Sequence, residues 1–155
     1  MNQIPQILKI LTIYFDSCIY GRPQDDQTQL SIMTETIAIG GIIDICNMAG
    51  HSIIGSAAVK RELSDNPDAD DRQAALTLFE DTARRVRLSR DVKRIDALHT
   101  QGLGVMDSIH LATAETADAD VLLTVDKDFE RIATSKNLSK VRVLNPFTLL
   151  QEVTK

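Results

Sequence analysis

The chain has 155 residues and a mass of 17.1 kDa, with 43% hydrophobic and 25% charged residues. This suits one globular domain, residues 1–155, able to bury a real core, and it excludes a disordered chain. Two cysteines, Cys18 and Cys46, exclude a disulfide scaffold and a Cys-rich zinc site, and a net charge of −5 excludes nucleic-acid binding by bulk charge alone.

The opening MNQIPQILKI lacks a basic start followed by a long apolar run. No signal peptide is read, and the expected location is the cytoplasm. LTIYF (11–15) is a short apolar, β-rich run ending at Asp16. GRPQDDQ (21–27) has turn chemistry and feeds a helix over 28–49, where Leu30, Met33, Ile37, Ile42, Ile43 and Cys46 recur at helical spacing. Its most apolar part, 37–45, is interrupted by Gly40 and Gly41 and by Asp44, which reads as too short and too broken to span a membrane. The glycine pair suggests close approach of a neighbouring element.

HSIIGS (51–56) reads as a buried strand and AAVKRELSD (57–65) as a short helix stopped before Asn66-Pro67. A helix fits 69–83, VRLS (86–89) is a strand candidate, and 91–101 is helical up to Gly102. Asp107 stands where an N-cap belongs, ahead of SIHLATAETAD. ADVLLTV (119–125) is the clearest buried strand, followed by Asp126, a helix over 128–135, the strand VRVL (141–144) and a short C-terminal helix after Asn145-Pro146. Strands alternating with helices predict an α/β, three-layer sandwich with a parallel sheet. Such sheets bind ligands beyond the carboxyl ends of their strands, at a topological switch point.

Two acids directly follow buried strands, Asp16 and Asp126; Asp107 starts the helix before the second of those strands, and Glu62 lies on the short helix after HSIIGS. All four fall at or near one edge of the sheet. Converging carboxylates repel one another unless a cation holds them, and oxygen-only ligands suit Mg²⁺ or Mn²⁺. The matching chemistry is phosphodiester hydrolysis or phosphoryl transfer. Each acid taken singly also reads as a cap, a turn residue or a solvated helix face, and spacing alone leaves both readings open.

IYFDSCIYGRPQDDQ, SAAVKRELSDNP and VMDSIHLATAETADADVLLTVDKDF, in this order, resemble the three signature regions of PIN domains, in particular toxin nucleases of VapC type. The resemblance covers about 11–150, and the last region is its most specific part. It implies a parallel sheet of about five strands, an acidic pocket holding Mg²⁺ or Mn²⁺, and RNA cleavage leaving a 5′-phosphate and a 3′-hydroxyl. Asp16, Glu62, Asp107 and Asp126 match the four family acids, agreeing with the set read from strand ends. The implied catalytic residues are therefore Asp16, Glu62, Asp107 and Asp126. Asp16, Asp107 and Asp126 are the implied metal ligands, and Glu62 orients water or binds through it. Ser17-Cys18 departs from the Thr-Asn that many relatives have after the first acid.

Ser17, Arg22 and Thr124 are the expected substrate-side residues: a hydroxyl beside Asp16, a guanidinium in the following loop, and a hydroxyl on the same strand face as Asp126. Cys18 reads as a small apolar residue and not a nucleophile. His110, one turn after Asp107, is read as packed and hydrogen-bonded within the fold, with a general-base role as the alternative. Arg84, Arg85, Arg87, Arg90, Lys93 and Arg94 place six of 17 basic residues in eleven positions, a local positive patch for phosphate contacts or a solvated surface.

The functional expectation is an Mg/Mn-dependent endoribonuclease acting as the toxin of a type II toxin–antitoxin pair. An RNA substrate and a homodimer are the implied partners, together with a cognate antitoxin that inserts a basic side chain among the acids. The alternative is a PIN-fold binding or regulatory module with little or no nuclease activity. A receiver domain or haloacid-type phosphatase fits poorly, because Asp16-Ser17-Cys18 lacks the paired acids either needs.

Overall fold

A computed structural model describes residues 9–154; the opening 1–8, read above for a signal, and residue 155 lie outside it. Five strands form one all-parallel sheet, β1 (Thr12–Phe15), β2 (Ser52–Gly55), β3 (Arg84–Arg85), β4 (Val121–Leu123) and β5 (Arg142–Leu144). Their spatial order is β3-β2-β1-β4-β5. The helices are α1 (Ser17–Gly21), α2 (Leu30–Ala49), α3 (Ala57–Ser64), α4 (Ala69–Thr82), α5 (Val92–Thr100), α6 (Val105–Thr116), α7 (Lys127–Ser135) and α8 (Pro146–Val153), with a short 3-10 turn at Arg22–Gln24. The expected α/β architecture and strand number are both present.

Apart from the edge strand β3, the strands are short and mostly apolar because both sheet faces are covered. Ile13, Tyr14, Phe15, Ile54, Leu122 and Leu123 are fully buried, and Phe79, Leu111, Phe129 and Leu149 meet them from the helices. Gly50, in the left-handed region at φ 78°, ends α2 and turns the chain into β2. A Cβ at Gly55 would lie 2.6 Å from Phe79 Cε2, so only glycine lets that ring close on the end of β2. Phe79 is further fixed by Tyr20, edge-on at 5.3 Å, and by the Arg85 guanidinium 4.8 Å from its centroid.

Three local expectations are corrected. The third strand lies at 84–85, not 86–89: the Val86 N–H still reaches the Gly55 carbonyl at 2.9 Å, but the Ser89 N–H turns away to the Thr113 hydroxyl. Two exposed arginines on an edge strand carry no apolar signature. The segment around Gly40 and Gly41 is not broken: α2 is one continuous helix of 20 residues, long and apolar enough to cross a membrane by length and composition alone. Ala38, Ile39, Ile42 and Cys46 turn into the core, and Gly41 packs against Leu150 of α8, whereas Leu30, Met33 and Ile37 face outward. Finally, Asp107 is not a cap; Gly104 is, and Asp107 sits in the first turn of α6, where a negative charge meets the positive end of the helix dipole.

The strand order fixes where a site belongs. From β1 the chain moves to β2 and β3 on one side, then crosses back to β4 and β5 on the other. The order reverses between β1 and β4, and the crevice opens beyond their carboxyl ends.

Candidate functional site

Asp16 and Asp126 follow β1 and β4, one on each side of that crevice. Asp16 is 5% exposed and caps α1. Its Oδ1 accepts the Ser17 N–H at 2.8 Å; its Oδ2 accepts the Thr124 hydroxyl at 2.8 Å and the Cys18 thiol at 3.3 Å. Asp126 caps α7, its Oδ1 accepting the N–H groups of Asp128 and Phe129 at 3.0 and 3.1 Å. Both are therefore caps as well as site acids, and capping fixes the direction of each carboxylate. Asp128 is an exposed first-turn charge paired with Arg131.

Thr124 is fully buried, which corrects its expected place as a substrate contact. Its hydroxyl donates to Asp16 and accepts the Asp126 N–H at 3.0 Å, so it joins the two strand-end acids. The Cys18 thiol lies 3.4 Å from the Thr124 hydroxyl and accepts the Val125 N–H at 3.4 Å. Burial, then the Asp16 charge, pushes the thiol up, which keeps it protonated and inert as a nucleophile.

Glu62 comes in on α3, and Ser17 lies between it and Asp16, with Oγ 3.2 Å from Glu62 Oε1 and 3.4 Å from Asp16 Oδ1. The Ser17 hydroxyl is thus engaged with the acids. His110, fully buried on α6, contacts Glu62 Oε1 through Nε2, with Asp16 Oδ1 3.8 Å away. Candidate ligand atoms of Asp16, Glu62 and His110 all lie within 4.8 Å of one another. Among the described residues, this trio is the group of potential ligands brought that close together, and the expected Asp16, Asp107 and Asp126 are not.

Asp107 and Asp126 are nonetheless electrostatically part of the site. Burial, then the charges of Asp16 and Asp126, with Glu62 adding and His110 opposing, pushes the Asp107 carboxyl from 3.8 to about 7. Burial would raise Glu62 too, but the His110 hydrogen bond and charge outweigh it and hold Glu62 below its ordinary value. For His110, burial opposes the charged ring and is outweighed by Glu62 and Asp16, so its value rises. Three carboxylates around a half-buried fourth leave uncompensated negative charge. Glu62 is an ionised acceptor, so His110 Nε2 carries a hydrogen toward it and is not presented as a ligand. The available donors are then carboxylate oxygens, which fit a hard divalent ion.

Arg22 is not a free cation. It pairs with Asp25 at 2.9 Å and Glu35 at 3.5 Å on the wall of a cavity of about 350 Å³, shared with Val125 and Lys127 that flank Asp126. Of the expected basic patch, Arg94 grips Glu115 with two bonds of 2.9 and 2.8 Å, and Arg85 is held by Phe79 and Glu80. Among the described residues, Arg84, Arg87, Arg90 and Lys93 make no ion pair, and Arg84, Arg85 and Arg87 line a concavity of about 290 Å³ with Thr116. His51 accepts the Leu11 N–H and His99 contacts the Leu103 carbonyl, so neither joins the site.

Two residues of the site network went unread in the sequence, Tyr14 and Ser56. The Tyr14 hydroxyl lies 2.7 Å from both Ser56 Oγ and His110 Nδ1. Their only sequence signal is a tyrosine two positions before the strand-end acid and a serine at the end of the next strand.

The family model described as PIN domain matches residues 49–135. No curated protein matches the chain. Among solved structures, the chain is similar to VapBC2 from Rickettsia felis bound to a DNA fragment from their promoter, at 15% identity and a TM-score of 0.59, over 87% of this chain and 98% of that one. It is also similar to PAE2754 from Pyrobaculum aerophilum, at 14% identity and a TM-score of 0.54, over 94% and 90% of the two chains. VapBC-1 from nontypeable Haemophilus influenzae matches at 13% identity and a TM-score of 0.53, over 88% and 99%. At such identities the likeness is one of fold.

Proposed function

The chain belongs to the PIN domain family, and from that premise we propose that it is an Mg²⁺- or Mn²⁺-dependent endoribonuclease, the toxin of a type II toxin–antitoxin pair working in the cytoplasm. The observation that carries this reading is the crowding of Asp16, Glu62, Asp107 and Asp126 at the switch point, strong enough to lift the Asp107 carboxyl to about 7. A purely structural fold gains nothing from such charge; a cation site requires it.

Asp16, Asp107 and Asp126 would hold the ion. Bound there, a divalent ion supplies Lewis acidity, lowers the pKa of water and neutralises charge on the phosphate. The chain's own contribution is positional. Thr124 holds the Asp16 carboxylate against the Asp126 backbone across the crevice. Glu62, held at Oε1 by Ser17 and His110, presents its other oxygen to orient the attacking water and take its proton. Arg84, Arg87, Arg90 and Lys93 supply the positive face for the RNA backbone that the acidic chain otherwise lacks.

An antitoxin would cover the acids with a basic side chain. A homodimer is proposed across the outward row of α2, where Leu30, Met33 and Ile37 stand exposed at helical spacing. Sedimentation of the purified chain tests the dimer.

The deciding experiment is cleavage of a mixed RNA panel in Mn²⁺, Mg²⁺ or EDTA, comparing wild type with Asp16→Asn and Asp107→Asn. Metal-dependent cutting lost in both folded variants is the expected result. Absence of metal binding overturns the catalytic reading in favour of a PIN-fold binding module.

A further inference from the structure

Four side chains close a circuit around the second acid. Ser56 precedes α3, Tyr14 lies on β1, His110 on α6, and Glu62 back on α3. Ser56 Oγ and Tyr14 Oη are 2.7 Å apart, Tyr14 Oη and His110 Nδ1 are 2.7 Å apart, and His110 Nε2 meets Glu62 Oε1. Ser56, Tyr14 and His110 are all fully buried, while the Glu62 side chain is 33% exposed.

Ser56 occupies the N-cap of α3, where serine normally accepts a hydrogen bond from the first turn. Here its side chain makes no cap bond and is turned to Tyr14 instead. The fold forgoes a local stabilisation and spends two buried polar rings, placing Tyr14 and His110 where aliphatic residues would pack. The hydroxyls of Ser56 and Tyr14 find their side-chain partners within the circuit, and its last member is the acid.

The hydrogen positions follow from chemistry. A carboxylate only accepts, so Nε2–H points at Glu62 whether the ring carries one proton or two. With one, Nδ1 accepts from Tyr14, which accepts from Ser56; with two, both bonds reverse and the circuit stays intact. In neither arrangement is Nε2 offered to a metal ion.

We infer that His110 is a positioning residue, oriented by Tyr14 and Ser56, which fixes the Glu62 carboxylate beside the other acids of the site. With Ser17 on the same Oε1, the circuit pins one oxygen and aims Oε2 at water or an ion. It also ties α3 to β1 and α6, so that the helix bearing Glu62 cannot rotate without breaking a buried bond. This inference rests on the nuclease reading for the role of Glu62 but not for the circuit itself.

Tyr14→Phe tests it, because it keeps the ring and deletes only the bridging hydroxyl. Mn²⁺ affinity by calorimetry, melting temperature, and kcat and KM on a cleaved RNA are measured. Tyr14→Phe is expected to weaken Mn²⁺ binding and lower kcat by about tenfold each, with KM unchanged, as loss of an outer partner does. His110→Ala is expected to cost more, and His110→Gln, which keeps an N–H for Glu62, to recover part of the loss. In a Glu62→Gln background Tyr14→Phe should add nothing to the loss of Mn²⁺ affinity. A lower melting temperature with unchanged Mn²⁺ affinity and kcat overturns the inference, as does a full Tyr14→Phe effect in the Glu62→Gln background. If wild type binds Mn²⁺ but cuts no RNA, the nuclease reading falls and Mn²⁺ affinity alone decides the circuit. If it binds no Mn²⁺, both fall.

Discussion

Replacing Asp107 with asparagine should stabilise the metal-free protein above pH 7 while ending catalysis. The carboxyl ionises near 3.8 in the unfolded chain and near 7 in the folded one, lifted by burial and by Asp16, Asp126 and Glu62. The folded state therefore holds this proton longer. Its stabilising effect is complete below about pH 4, is lost as pH rises through 7, and the ionised group is a constant burden above that. About three pH units at roughly 1.36 kcal/mol each set a ceiling of ~4 kcal/mol. Asp107 is only partly buried, and solvent screening leaves about 2 kcal/mol. For a domain of this size that is a rise in melting temperature of roughly 4–8 °C. Melts of wild type and Asp107→Asn in EDTA, at pH 4 and pH 8, measure it. The gain should be present at pH 8 and vanish at pH 4. An asparagine variant melting at or below wild type at pH 8, or gaining equally at both, refutes the argument. Added Mn²⁺ should raise the wild-type midpoint at pH 8 and do so less in the variant, since only the former recovers a crowded charge.

Thr124→Val removes the hydroxyl shared by Asp16 and the Asp126 N–H. It should cost about 1–3 kcal/mol in denaturant unfolding, the penalty of orphaned buried polar groups, and reduce cleavage at constant substrate affinity. Gly55→Ala drives a methyl to 2.6 Å from the Phe79 ring and should destabilise by about 1–3 kcal/mol, visible as a lower midpoint at unchanged unfolding slope. Arg84→Gln and Arg87→Gln should each flatten the salt dependence of RNA binding in EDTA, by about 0.7 in log–log slope per lost phosphate contact, and leave the melting temperature unchanged. An unchanged slope removes the concavity beside Thr116 from the RNA-binding surface.

The strand-end acids were legible because their signal is local. An apolar run that stops at Asp16, another that stops before Asp126, and an acid at the start of a helix each declare themselves within a few residues. Parallel pairing of such runs places their ends together whatever the loops do. The same locality explains what was misread. Arg84–Arg85 became a strand only because β2 offers it an edge, and α2 stayed whole through Gly40 and Gly41 because its inner face packs on the core and on α8. The patch 84–94 looked uniformly basic, yet Arg94 found Glu115 across 21 positions and Arg85 found an aromatic face.

The class of fold, the sheet edge at the switch point and the four acids gathered there follow from the sequence, because periodicity and strand ends are written in neighbouring residues. Tertiary structure alone decided how those acids are held. Ser56, Tyr14, His110 and Glu62 meet across separations of 42, 96 and 48 positions, and Thr124 reaches Asp16 across 108. A hydrogen bond needs its two atoms within about 3 Å and aligned, a condition that no spacing along the chain specifies and that only the packing of β1, α3 and α6 against one another satisfies.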